Sequence, residues 1–368
     1  MKILILTNHQ LGLYKFRREL LEELVQKGYE VYVSVPEDEF TQELTDIGVK
    51  VIHNIYLDRR GTNPVHDLRL LNYYKVMIKK MKPDMVFSYT IKPNVYGGYV
   101  CGKLKIPYIA NITGLGTSIQ NGGLMQKLTL TMYKIGLRKA KKVFFQNNEN
   151  KDFMLKHKVV NGNKIDLLPG SGVNVDQQCY ETYPDDNKKI IFTTIGRIMK
   201  DKGIDEVLEA AEIIKERHPE TEFRLIGDFD EGYENRVKNL VDRGIIKYFG
   251  FQKDIHPYMA ESHAIIHASY HEGMSNILQE AASTGRPVIA TDVPGCVETY
   301  DDGVTGIGFK AKSVKSLVNA IEHFLKLNKD ERIAMGKAGR KKMECEFNRT
   351  IVVEKYMKEI KELEGDRR

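Results

Sequence analysis

Two series of short apolar runs, each alternating with amphipathic stretches, constrain this chain most, and Leu168-Pro169-Gly170-Ser171-Gly172-Val173-Asn174 separates them. In the first series the expected strands cover residues 2–7, 31–35, 49–56, 85–89, 108–112 and 143–146. The helices between them fall at 14–26, 40–47, 68–81, after Pro93, and at 124–139. On the first helix Phe16, Leu20, Leu21 and Leu24 form the apolar side, and Gly28 closes it. The second series predicts strands at 190–195, 223–226, 248–249, 264–268 and 288–291, with helices at 204–216, 234–243, 255–260 and 275–284. Apolar strands alternating with helices imply parallel sheets covered on both faces. The fold class is therefore α/β, with two doubly wound domains and a boundary near residue 170. Ligands in such sheets sit outside the carboxyl ends of the strands, so the two domains are expected to face a cleft. Charged helices at 313–327, 330–346 and 352–363 end the chain.

Composition narrows the class. The 368 residues are 42% apolar and 29% charged, as in a soluble globular protein of two domains. No apolar stretch is long enough to span a membrane, and the first seven residues read as a buried strand rather than a signal peptide. Cys101, Cys179, Cys296 and Cys345 show neither disulfide nor metal-ligand spacing, which suits isolated thiols in a reducing cytoplasm. The net charge of +6 is unevenly spread: residues 1–168 hold 26 Lys and Arg against 15 Asp and Glu. Within residues 51–142 the count is 16 basic to 3 acidic. That half is expected to meet an anion, whether nucleic acid, a phosphorylated substrate or an acidic membrane surface.

Chemistry concentrates at two strand ends. Gly196-Arg197-Ile198-Met199-Lys200-Asp201-Lys202-Gly203 follows the strand at 190–195 and precedes a helix. A guanidinium and an ammonium converging beside a helix N-terminus suit a diphosphate, above all one gaining charge as it leaves. His271-Glu272-Gly273-Met274-Ser275-Asn276-Ile277-Leu278-Gln279-Glu280 follows the strand at 264–268, and Ser275 or Asn276 can cap the next helix. Ile277, Leu278, Ala281, Ala282 and Gly285 fall on its core-facing arc, and Glu280 lies on the other. Two carboxylates around exposed amides suit the hydroxyls of a sugar and a ribose.

Together these motifs, with Pro169-Gly170-Ser171-Gly172-Val173-Asn174 and Thr291-Asp292-Val293-Pro294-Gly295, resemble those of the family 4 retaining glycosyltransferases, in the same order and spacing. The resemblance implies the GT-B fold: two Rossmann-like domains, one of residues 1–168 with a C-terminal helix at 350–368 crossing back to it, the other of residues 169–349. It implies that Arg197, Lys202 and Glu272 are catalytic. The donor would be held by Gly12, Gly196, Arg197, Lys202, Phe251, Glu272, Gly273, Met274, Ser275, Asn276, Ile277 and Glu280, with Glu272 at the sugar and Glu280 at the ribose. Leu13-Tyr14-Lys15-Phe16-Arg17 and Tyr89-Thr90-Ile91-Lys92-Pro93-Asn94-Val95-Tyr96-Gly97-Gly98 are similar to the branch that builds bacterial surface polysaccharides and lipid-linked oligosaccharides. By that resemblance Arg17, Lys92, Asn94 and Thr113 lie on the acceptor side. The implied activity is hexosyl transfer from a nucleotide-sugar, a UDP-sugar, to a lipid-linked glycan, with no cofactor, no metal and no nucleic acid partner. The implied place is the cytoplasmic face of the cell membrane, peripherally bound. The basic excess at 51–142 agrees, since such an acceptor sits in an anionic leaflet. Lys75, Lys79, Lys127, Lys134, Arg138, Lys139, Lys141 and Lys142 would form the basic face, and Leu124, Leu128 and Tyr133 could reach lipid.

This sequence departs from the family in two places. Asn111-Ile112-Thr113-Gly114-Leu115-Gly116 holds no His where many members have one near the reacting sugar, and the glycine-rich first loop is reduced to Gly12. Asp228-Phe229-Asp230 spells a D-x-D, but in the second domain, where this fold does not bind metal. His9, His53, His66, His256 and His267 do not pair at ligand spacing. A nucleotide-sugar epimerase of the same architecture and a non-catalytic nucleotide-sugar-binding protein are the competing readings.

Overall fold

The structure is a computed structural model that describes residues 1–37, 39–57, 63–116, 119, 122–185 and 189–366. The chain divides into two compact units, one of Met1–Ser171 with Thr350–Arg368, the other of Gly172–Arg349.

The first unit runs β1 (Lys2–Leu6), α1 (Gln10–Gln26), β2 (Glu30–Val35), α2 (Thr41–Asp46), β3 (Lys50–His53), α3 (Pro64–Met81) and β4 (Met85–Tyr89). A π-helical turn, Pro93–Gly97, then leads into α4 (Gly98–Leu104), β5 (Tyr108–Ile112), α5 (Gly123–Leu137), β6 (Lys142–Phe145), α6 (Asn148–Lys156) and β7 (Ile165–Leu167). Its seven parallel strands lie in the order β3-β2-β1-β4-β5-β6-β7. Apart from Lys2, every residue of the central strands β1, β4 and β5 is buried, which is why their sequences are mostly apolar. The third strand is half the expected length, and β7 and α6 carry too weak a pattern to be expected. The first helix starts at Gln10 because His9 caps it, Nδ1 accepting the Gly12 amide at 3.1 Å. Phe16 is only half-buried, and Leu13 and Arg17 occupy the buried face with Leu20, Leu21 and Leu24.

The second unit runs β8 (Ile190–Ile195), α7 (Ile204–Arg217), β9 (Thr221–Ile226), α8 (Glu234–Asp242), β10 (Ile246–Tyr248), α9 (His256–Ala260), β11 (Ala264–His267) and α10 (Asn276–Ser283). It continues through β12 (Val288–Thr291), β13 (Gly306–Phe309), α11 (Val314–Lys326) and α12 (Lys329–Glu346). Its sheet is parallel in the order β10-β9-β8-β11-β12-β13. The glycines of β13, Gly-Ile-Gly-Phe, hide that strand from a periodicity reading.

The last helix, α13 (Arg349–Gly365), belongs mostly to the first unit. Tyr356 is wholly buried there, its ring 5.1 Å from that of Phe87 and 5.2 Å from that of Phe144. Its hydroxyl accepts from Tyr89 at 3.0 Å and donates to Asn111. On the same helix Glu359 takes Lys142 at 3.1 Å and Lys141 at 3.9 Å. Those two lysines are therefore part of the α13 contact, a correction to their place on the expected basic face.

Candidate functional site

The order of the second sheet reverses between β8 and β11, which lie side by side although α7, β9, α8, β10 and α9 separate them in sequence. A doubly wound sheet opens a crevice at such a reversal, because the connections on either side leave in opposite directions. The Gly196–Gly203 loop leaves β8 there, and the His271–Asn276 loop leaves β11.

Two glycines let these loops come close. Gly203 has φ +68°, and a Cβ on it would lie 2.1 Å from the Ala268 carbonyl oxygen. Gly295 has φ +82°, and a Cβ there would lie 2.5 Å from the Glu272 backbone carbonyl oxygen. The Pro294 and Gly295 carbonyls accept from the Glu272 amide at 3.3 Å and the Ser275 amide at 2.7 Å. The segment after β12 thus forms a floor under the His271–Asn276 loop.

Lys202 Nζ donates to Glu272 Oε1 at 2.5 Å. The same oxygen lies 3.2 Å from His267 Nε2, and His267 Nε2 lies 3.1 Å from Ser275 Oγ. Burial alone would raise the Glu272 carboxyl. The Lys202 charge and the hydrogen bonds from His267 and Lys202 outweigh it and hold the carboxyl well below the usual carboxylate range. His267, for which the sequence suggested no partner at ligand spacing, is thus the group that orients Glu272; nothing in linear order joins that pair to Lys202. Ser275 caps α10, accepting from the Leu278 amide at 3.3 Å. Asn276 opens the helix, and its shielded Oδ1 has no hydrogen-bond partner among the described residues. Met274 is buried, and Gly273, Ile277 and Glu280 are half-buried around the same helix start. Arg197 is paired with Asp230, the last residue of the D-x-D, and its side chain is 47% exposed. Phe251 stands exposed after Gly250, whose carbonyl accepts from the Gly227 amide.

The residues expected on the first unit are placed differently. Gly12 lies inside α1 with its amide committed to His9, so it is not a loop amide open to a phosphate. Arg17 is 4% exposed, lies over the Tyr89 ring at 5.3 Å and donates to the Phe16 carbonyl at 2.7 Å. Asn94 is fully buried, accepting from Ser88 Oγ at 2.7 Å and donating to the Asn111 carbonyl at 2.8 Å. It braces the π-helical turn and presents nothing outward, a correction to its acceptor-side reading. Lys92 pairs with Asp67 at 2.9 Å. Thr113 is half-buried just beyond β5. Thr90, at the corresponding reversal of the first sheet, has φ +70°, a strained conformation for a β-branched residue that no sequence signal announced.

Residues 2–147 match the family described as glycosyl transferase 4-like, and residues 181–342 match glycosyl transferases group 1. The chain belongs to these glycosyl transferases. Along its length the transferase is 28% identical to the N,N'-diacetylbacillosaminyl-diphospho-undecaprenol alpha-1,3-N-acetylgalactosaminyltransferase of Campylobacter jejuni, over 97% of this chain and 98% of that one. It is 24% identical to the UDP-Gal:alpha-D-GlcNAc-diphosphoundecaprenol alpha-1,3-galactosyltransferase of Escherichia coli, over 71% of each chain. The transferase also has the fold of the Anabaena protein HepE, solved with UDP and glucose, with a TM-score of 0.79, 17% identity, and coverage of 98% of this chain and 99% of that one.

Proposed function

We propose that the chain transfers a hexose-type sugar from a UDP-sugar to an undecaprenyl-diphosphate-linked glycan, with retention at the anomeric carbon, in surface-polysaccharide synthesis. The observation that carries this reading is the Lys202–Glu272 pair at the switch point of the second sheet, beside the capped start of α10. A donor diphosphate offers Lys202 and Arg197 a doubly charged partner in place of Glu272 and Asp230, and the α10 amides add their dipole. Glu272, released from Lys202 but still held by His267, is then free to accept from sugar hydroxyls, and Glu280 from the ribose. The departing diphosphate, stabilised by the two cations, takes the proton of the acceptor hydroxyl, so no metal and no protein nucleophile is needed at the reacting carbon. The two relatives named above act, by their names, on diphosphoundecaprenol-linked sugars and make alpha linkages, and one uses UDP-Gal. A UDP-sugar carries its sugar in the alpha configuration, so an alpha product means retention.

The reading extends to the membrane. On α5, Leu124 is 85% exposed, and Met125, Leu128 and Ile135 are also exposed, among the exposed Lys127, Lys134 and Arg138. Apolar groups beside cations suit a helix lying in an anionic interface. Tyr133, expected among them, is instead 1% exposed and packs inward. Among the described residues no helix is long and apolar enough to cross a membrane; the proposed attachment is peripheral, on the cytoplasmic leaflet.

The test is release of UDP from a panel of UDP-sugars, with and without an undecaprenyl-diphosphate glycan, in the presence of excess chelator. Acceptor-dependent release of UDP with an alpha-linked product supports the proposal. Release that ignores the acceptor, or a strict need for added magnesium or manganese, overturns it.

A further inference from the structure

Far from these loops, at the other end of α10, the fold brings together a thiol, a carboxylate and an imidazole that are scattered in sequence. Cys179 Sγ lies 3.7 Å from His256 Nε2, Glu181 Oε1 lies 3.1 Å from the same nitrogen, and Cys179 Sγ lies 3.4 Å from Glu181 Oε1. A tetrahedral zinc ion bound at its usual distances to sulfur, nitrogen and oxygen holds those atoms about 3.6, 3.3 and 3.5 Å apart. Every edge of the observed triangle agrees with those spacings within about 0.2 Å.

The surroundings orient the ligands. His256 Nδ1 meets Gln178 Oε1, an acceptor, at 2.9 Å, which turns Nε2 toward Glu181 and Cys179. An imidazole nitrogen and a carboxylate oxygen 3.1 Å apart need a proton or a cation between them. Behind the cluster the fully buried Arg286 donates to the carbonyls of Glu181, Thr182, Met259, Ala260 and Gly285. Arg340 Nη1 donates to those of Val175, Gln178 and Ser283. The segment bearing Cys179 and Glu181 and the helix bearing His256 are thus fixed to one frame before any ligand arrives, which lowers the entropy lost on binding.

We propose that Cys179, Glu181 and His256 form a three-ligand zinc site whose fourth position is open to solvent beside the exposed Cys179. One thiolate, one imidazole and one carboxylate favour Zn²⁺ over the hard cations Mg²⁺ and Ca²⁺. The thiol proton leaves as the metal binds, and thiolate plus carboxylate cancel the ion's charge. The site lies beyond Thr284, the residue that ends α10, while the donor loops meet the helix start, about 12 Å away along eight residues. Its role is to clamp the segment entering the second unit onto α9, not to take part in sugar transfer.

The experiment uses the full chain, stripped of metal and titrated with Co²⁺ and then Zn²⁺. Expected are one equivalent of Co²⁺, a cobalt–thiolate charge-transfer band, the strong visible bands of tetrahedral cobalt, their displacement by Zn²⁺, and a melting temperature raised by Zn²⁺ but not by Mg²⁺. Cys179→Ser should abolish the charge-transfer band, and His256→Gln should weaken binding by more than about 100-fold. Gln178→Ala, which removes only the orienting partner, should weaken it about 10- to 100-fold. Cys345→Ser, at the other exposed thiol, should change nothing. Metal-free melting of each variant near that of the metal-free wild type shows that the fold is intact. Absence of the charge-transfer band in the wild type, or its survival in folded Cys179→Ser, overturns the proposal.

Discussion

Lys202 and Glu272, 70 positions apart, meet through a 2.5 Å charged hydrogen bond at the reversal of the second sheet. The pair keeps a cation and an anion poised where a donor would bring both a phosphate and hydroxyls. Each can exchange its partner for a ligand group without leaving a buried charge uncompensated.

Arg197→Ala and Lys202→Ala are each expected to lower kcat by about 100-fold or more, as loss of a charge stabiliser at a leaving group does. Because Lys202 and Glu272 share one interaction, Lys202→Ala combined with Glu272→Gln should cost less than the product of the single effects. Steady-state kinetics of the four proteins of this cycle decide the point; strict multiplicativity refutes the coupling.

The two glutamates should separate by kinetic parameter. Glu272, next to the reacting carbon in the proposed complex, should act on kcat, whereas Glu280 at the ribose should act mainly on donor KM. Glu272→Gln and Glu280→Gln compared by turnover and by direct UDP binding test this. Equal loss of kcat in both, with normal binding, would remove the division of labour.

Acid should uncover the Glu272 pair. Its carboxyl titrates well below the ordinary value of about 4.3 in the folded protein. Its contribution to stability is therefore complete above the unfolded value and is lost as pH falls toward the folded one. The stability gap between wild type and Glu272→Gln should be constant above about pH 5.5 and shrink steadily below about pH 4. Urea unfolding at a series of pH values measures it, and a gap that widens on acidification contradicts the sign.

Attachment to anionic lipid should depend on α5. Leu124→Glu with Leu128→Glu should abolish sedimentation with acidic vesicles while leaving melting unchanged, since both side chains are exposed. Wild-type binding should weaken between 0.1 and 1 M salt as the screening length falls from about 10 to about 3 Å. Equal binding to neutral and acidic vesicles would refute the electrostatic part.

Arg286→Met should destabilise the second unit by about 3 kcal/mol or more, because carbonyls of three segments lose a charged donor inside the protein. Urea unfolding followed by tyrosine fluorescence reads it, and a change under about 1 kcal/mol would show that other donors replace it.

Strands buried on both faces were the most legible parts of the sequence: Met85–Tyr89, Tyr108–Ile112, Ile190–Ile195 and Val288–Thr291 have the bounds their apolar runs suggest. Elements at sheet edges were not, since Ile165–Leu167 has a central Asp and Gly306–Phe309 alternates glycine with apolar residues. The start of α1 was missed because His9, an uncommon cap, takes the place of Ser, Thr, Asp or Asn. Around the candidate site, what one loop contains could be read directly, including the Ser275 cap. What required strand order could not. Arg197 with Asp230, Lys202 with Glu272, and Cys179 with His256 each join residues that only the fold brings together.

The position of Tyr356 gives synthesis on the ribosome an awkward order. The first unit to emerge lacks the helix that covers Phe87, Tyr89 and Phe144, and that helix is translated only after all of Gly172–Arg349. At 5–20 residues per second the wait is roughly ten to forty seconds. The second unit is contiguous and can finish folding in that interval, while the earlier half carries an uncovered aromatic face. A stop codon in place of Thr350 should therefore leave a product whose first unit aggregates although its second unit, Gly172–Arg349, is complete.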